Sequence, residues 1–153
     1  MRAVIGAICL ALMGGAASAA TPAEEAQATV HAFIDAFDKG DIKAAEATHE
    51  PDVAIIDEMA PHEWHGPGAF MAWVGALMKS SAAAGQTNEA VVLGRTIRAE
   101  SDGATAYVVM EGAFNYKQGG KAVSEPSRMV FALRKEASGW KISAWAWAGD
   151  PPP

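Results

Sequence analysis

The sequence is poorest in cysteine, in tyrosine and in positive charge, and each shortage removes a class of function. The single cysteine, Cys9, falls within the first twenty residues, a stretch that reads as a removable leader. Without it the chain has no disulfide, no thiolate nucleophile and no cysteine-ligated zinc. Only 12 lysines and arginines stand against 18 acids, for a formal charge of −6. Loss of Arg2 with the leader moves the balance to 11 bases against 18 acids, or −7. That excess repels phosphate backbones and anionic headgroups, so neither nucleic acid nor a membrane surface is an expected partner. The apolar run from Ala3 to Met13 is too short to span a bilayer.

That run is instead the h-region of a secretory signal. Arg2 supplies the positive n-region, and Ala17-Ser18-Ala19 is a small-residue cleavage pattern. Gly6-Ala7-Ile8-Cys9 is a poor lipid-attachment context. The sequence thus predicts a signal peptide over 1–20, a single domain over 21–150 and a disordered tail over 151–153. Its product is expected to be periplasmic or secreted.

The mature chain divides by its hydrophobic period. Thr21-Pro22 makes an N-cap and first-turn proline, Glu24-Glu25 suit the positive end of a helix dipole, and Val30, Phe33, Ile34 and Phe37 recur at helical spacing. Gly40 stops this helix, and Asp41 caps a short second one ending near Thr48. A strand over Val53–Asp57, a loop over Glu58–His65 and an amphipathic helix from Pro67 to about Ser81 follow. From Thr87 the period becomes two, with strands expected over about 88–99, 104–117, 122–135 and 140–148. Consecutive strands joined by short turns pair antiparallel, and helices followed by such a meander make an α+β architecture with helices on one sheet face.

Three stretches carry a family resemblance: Phe33-Ile34-Asp35-Ala36-Phe37-Asp38-Lys39-Gly40-Asp41-Ile42, then Asp57 to Trp73, then Gly139-Trp140-Lys141-Ile142. The chain resembles the NTF2-like superfamily, which includes SnoaL-like polyketide cyclases and ketosteroid isomerases. The resemblance implies a cone of three N-terminal helices on a curved, mainly antiparallel sheet. It does not imply one activity, because the fold hosts isomerases, dehydratases, cyclases and pocket proteins.

Against the ketosteroid isomerases the match is partial. Asp57 stands nine residues before Gly66 and occupies the general-base position, and Trp73, seven beyond that glycine, occupies an aromatic pocket position. The tyrosine donor of the first helix is replaced by Phe33, and the acid two beyond a strand proline is replaced, after Pro126, by Arg128. Losing one oxyanion donor typically costs about 2.7–4 kcal/mol, so steroid isomerisation is not expected. Arg128 could supply positive charge in their place, yet beside Asp57 it would weaken that carboxylate as a base.

Asp57, Arg128 and His65 are the candidate catalytic residues, with His62 or His65 as a proton shuttle. Asp57 could equally be a strand-end carboxylate held by a loop amide or by Arg128. His62-Glu63-Trp64-His65 is not HExxH and has no evident third ligand, so no metal and no cofactor are expected. His31 and His49 fall on the first two helices as surface or structural residues.

Alternation separates two sheet faces. The resemblance places Val108, Met110, Phe114, Arg128, Val130, Ile142, Ala144 and Ala146 toward the helices. Tyr107, Val109, Met129, Phe131, Leu133, Trp145 and Trp147 are placed on the far side, where an apolar surface would make a homodimer interface. One bulge would exchange these assignments and turn Trp145 and Trp147 inward. The expected ligand site joins Phe33, Phe37, Trp64, Trp73, Met110 and Phe114 to the small residues Ala144 and Ala146. Three functions fit: binding of a small, largely apolar molecule, a lyase, isomerase or cyclase using Asp57 as base, or a protein-interaction module using the tryptophan face.

Overall fold

A computed structural model describes residues 19–150. Most of the expected signal peptide and the whole expected 151–153 tail therefore lie outside the described residues. Helix α1 spans Pro22–Asp38 and starts from a complete capping box, in which Thr21 and Glu24 satisfy each other's backbone donors. Its inward stripe is Ala26, Val30, Phe33 and Ile34. Gly40, at φ +73°, ends the helix, and Asp41 accepts from the Ala44 amide to cap α2, Ile42–Ala47.

Strand β1 runs His49–Ile56, four residues earlier than its sequence pattern suggests. Pro51 lies where its pairing with the last strand is irregular, between His49 and Ala54, which is how a strand accommodates a missing donor. The expected loop contains a two-residue strand, β2, Glu63–Trp64, paired to β1. Helix α3 spans Ala69–Ala84 rather than starting at Pro67, because Gly66 and Gly68 both take left-handed φ values near +80°. Gly85 closes it in the same conformation. Strands β3 (Gln86–Ser101), β4 (Thr105–Gln118), β5 (Lys121–Glu136) and β6 (Gly139–Gly149) form the meander.

The sheet order is β2-β1-β6-β5-β4-β3, antiparallel throughout except for β1 beside β6. This is the α+β arrangement expected, with helices on one face of a six-stranded sheet.

The face assignment is corrected in β5 and β6. Val108 pairs with Phe131, which pairs with Trp145, and Met110 pairs with Met129, which pairs with Trp147. All these residues share the helix-facing side. Phe131 is fully buried, Trp145 is 3% exposed and Met129 is 2% exposed. Met129, Phe131, Trp145 and Trp147 therefore cannot form a dimer surface, while Tyr107 does lie exposed on the outer face. Conversely, Arg128, Val130, Ala144 and Ala146 point outward. Two features cause the exchange. The Gly119-Gly120 turn pairs Gln118 with Lys121, so an even residue in β4 faces the same way as an odd one in β5. In β6 the register slips between Ile142 and Ala144, and Ser143 is the extra residue of a bulge.

The core between the layers joins Val30, Phe33, Phe70 and Trp73 from the helices to Val53, Ile55, Val108, Met110, Phe131 and Ile142 from the sheet. His49, expected on a helix, instead begins β1. It is buried with its ring 4.6 Å from both Phe33 and Phe70.

Candidate functional site

One end of the interlayer space is not filled. A cavity of about 210 Å³ opens there, walled by Phe33, Phe37, Trp73 and Leu77 from the helices and by Phe114, Met129, Trp145 and Trp147 from the sheet. The rings meet mostly edge-on or tilted: Trp73 and Trp145 are T-shaped at 4.8 Å, Phe37 lies 5.3 Å from Trp73, and Phe114 lies 6.4 Å from Trp147. Such rings cannot collapse onto one another without leaving these geometries, which is how packed aromatics hold a space open.

Asp57 leaves β1 directly into this cavity and is 8% exposed. Its Oδ1 accepts from the Met59 amide at 3.0 Å, and its Oδ2 accepts from Trp73 Nε1 at 3.0 Å. The loop beyond it is closed by the Asp57 amide donating to the His62 carbonyl at 3.0 Å and the His62 amide donating to the Met59 carbonyl at 2.7 Å. Both oxygens thus hold one donor each, leaving a lone pair on each for a ligand proton.

Two further carboxylates line the cavity. Glu58 reaches across the end of β6, where a Cβ on Gly149 would sit 2.6 Å from its Oε2. Partial burial, with the charges of Asp57 and Glu125, holds the Glu58 carboxyl above its ordinary range. Glu125 lies opposite Phe114 on β5 and accepts from the Tyr116 hydroxyl at 2.6 Å, which raises the phenol's own pKa. Among the lining residues there is no lysine, arginine or histidine. Two polar groups on the lining side chains, Ser81 Oγ and Trp145 Nε1, are buried without a hydrogen-bond partner.

Asp57, Phe33, Phe37, Trp73 and Phe114 therefore share one cavity wall. Met110 lies on the correct face, 1% exposed, and packs in the core beneath the cavity lining. Trp64 and His65 do not reach the cavity. They line a separate shallow depression with Pro61, Pro67 and Ala72. Arg128 is exposed on the outer face opposite Glu111, so it neither touches a cavity ligand nor pairs with Asp57. Ala144 and Ala146 leave no room inside because they face outward. The residues that sequence reasoning missed are Glu58, Glu125, Ser81, Met129, Trp145 and Trp147. The two-residue Gly119-Gly120 turn already carried the signal for Glu125 and Met129, since it fixes which parity of β5 faces Phe114.

Among the lining residues no cation takes the place of the donor that Phe33 lacks. Trp145 Nε1 is a neutral donor, weaker than the charged stabiliser expected from Arg128. Among the described residues no group of three or more histidine, cysteine, aspartate or glutamate side chains is arranged to hold a metal ion.

A model of the SnoaL-like domain family matches residues 26–146. No functionally curated protein is similar enough to be matched to the chain. Among solved structures, an NTF2-like protein with a cystatin-like fold from Novosphingobium aromaticivorans superposes with a TM-score of 0.69 at 19% identity, covering 85% of this chain and 82% of that one. A ketosteroid isomerase-like protein from Erwinia carotovora atroseptica gives 0.63 at 20% identity, covering 84% and 96%. The CaMKII hub of S. rosetta gives 0.70 at 19% identity, covering 87% and 100%. At these identities the likeness establishes a shared NTF2-like fold.

Proposed function

The chain belongs to the SnoaL-like domain family, and from that premise we propose that its cone binds a small, largely apolar molecule. The supporting observation is the cavity itself. Six aromatic side chains surround about 210 Å³ that the core leaves open, and the polar side chains on its wall are Asp57, Glu58, Ser80, Ser81, Gln86 and Glu125. That combination of apolar lining and a limited set of polar groups is the usual make-up of a small-molecule site. Asp57 supplies the fixed acceptor, oriented by Trp73 and the Met59 amide. The signal-like residues 1–20 support an exported protein that meets its ligand outside the cytoplasm. Native mass spectrometry of the mature chain purified from its own host tests this reading. A reproducible small-molecule adduct is expected, lost when Trp73 or Trp145 is replaced by alanine, and persistent absence of any adduct together with silence in ligand screens overturns it.

A second reading, favoured by the position of Asp57 on the cavity wall, makes the site a lyase, isomerase or cyclase with Asp57 as general base. Asp57→Asn separates the two. It abolishes turnover of a substrate under the enzymatic reading and changes only affinity under the binding one.

Self-association, in either case, falls to the outer sheet face, where Ile56 is 58% and Tyr107 43% exposed beside Val130, Ala144 and Ala146. Ile56→Lys with Tyr107→Glu is expected to convert a dimer to monomer in light scattering, and an unchanged mass removes that face from consideration.

A further inference from the structure

We infer that the cone selects a cationic amine carried on an apolar, ring-sized body, with the ammonium held among Asp57, Glu58 and Glu125. This rests on the reading of the cavity as a ligand site and adds the charge of its occupant.

Three carboxylates on one small cavity with no lysine, arginine or histidine give it a one-sided field. Water is partly excluded there, so the field acts at an effective dielectric well below that of bulk solvent. An anionic ligand would have to enter against three like charges, and a neutral one would leave them crowded. Burial first, and then the charges of Asp57 and Glu125, hold Glu58 above the usual carboxylate range, and an ammonium relieves the second of these. The surrounding tryptophan faces suit the same group, since a ring's negative face attracts a cation.

The acidic groups are not the only sign of a missing partner. Ser81 is 4% and Trp145 3% exposed, both line the same cavity, and Ser81 Oγ and Trp145 Nε1 have no partner in the protein. Buried polar atoms are normally satisfied, and the Ser81 hydroxyl, which can accept from an ammonium, is free for such a ligand, whereas Trp145 Nε1 only donates and does not bear on its charge. A metal ion fits less well, because the carboxylates are not gathered into a coordinating cluster and the remaining wall is aromatic. An organic cation satisfies both the carboxylates and the rings.

Three probes with one phenyl body and different heads test the inference: 2-phenylethylamine, 3-phenylpropionate and propylbenzene, titrated at neutral pH against the fluorescence of the cavity tryptophans. The amine is expected to bind at least about tenfold more tightly than the carboxylate, with propylbenzene between them. Glu58→Gln and Glu125→Gln should each narrow the amine-to-carboxylate ratio by roughly threefold while leaving propylbenzene affinity unchanged. Added salt should narrow it as well. If all three probes bind alike, or neither variant alters the ratio, the cavity reading stands and the charge inference falls. If propylbenzene and the two others all fail to change the tryptophan emission, the cavity reading falls and takes this inference with it.

Discussion

Trp73 Nε1 donates to Asp57 Oδ2 at 3.0 Å, tying the second turn of α3 to the exit of β1 across sixteen residues of chain. The bond fixes the carboxylate at the cavity wall and the indole in its edge-on contact with Trp145. Trp73→Phe keeps an aromatic side chain but removes the donor and, with the pyrrole ring, part of the buried contact. Because the acceptor is a buried carboxylate, the loss is expected to be about 2 kcal/mol. Urea denaturation should show a lower midpoint with an unchanged slope, the mark of altered stability rather than altered compactness.

His49 should make the protein acid-sensitive in a defined window. Burial is the main cause that lowers its pKa from 6.5 to about 4. The folded pKa lies below the unfolded one, so the unfolded chain binds the proton first. The stabilisation is complete above about pH 6.5 and is lost as pH falls toward 4. A shift of that size corresponds to roughly 3 kcal/mol. His49→Gln removes the titration, and the difference between its stability and the wild type's, followed from pH 7 to 4, isolates this group from the carboxylates that also titrate there. A constant difference would show that His49 does not contribute.

Ser81 offers the opposite sign of effect. Its hydroxyl is buried, on a helix, and unpartnered. Ser81→Ala should therefore raise stability by about 1 kcal/mol, from removal of an unsatisfied group and from the better helix propensity of alanine. If the hydroxyl serves a ligand, the same variant should bind that ligand less tightly. Thermal unfolding and probe titration on one sample measure both.

Gly149 gives a way to move Glu58 without changing its charge. The new Cβ of Gly149→Ala would lie 2.6 Å from Glu58 Oε2, the free end of a flexible side chain. The glutamate swings away at little cost in stability, within about 1 kcal/mol. The amine-to-carboxylate preference should then fall as it does in Glu58→Gln. Retention of the full preference would place the ammonium elsewhere.

The architecture was legible because the hydrophobic period changes from 3.6 to 2 near Thr87, and the helix ends carry capping residues such as Thr21 and Asp41. Asp57 and Trp73 were legible through the family resemblance, from their spacing to Gly66, while Phe33, Phe37 and Phe114 lie on periodic segments. The far wall was not. Alternation tells which residues of one strand share a face, but joining two strands needs the turn count, and the two-residue Gly119-Gly120 turn inverts the parity. Ser143 inverts it again within β6, and nothing in the local sequence distinguishes a bulged serine from an ordinary strand residue. Arg128 was drawn to the site by its distance from Pro126, a spacing that holds along the chain while saying nothing of the face. Trp64 and His65 failed differently: β2 is the edge strand of the sheet, where Trp64 packs into the core and His65 is exposed, beside Pro61, Pro67 and Ala72 rather than on the cavity wall.

The parallel pairing of β1 with β6 joins the first long strand to the last. Synthesis from the N-terminus therefore produces Asp57 long before Trp145 and Trp147, and the binding chamber cannot close until almost the whole chain exists. Its sequence-distant contacts also slow folding, because the loop entropy is lost before the pairing rewards it.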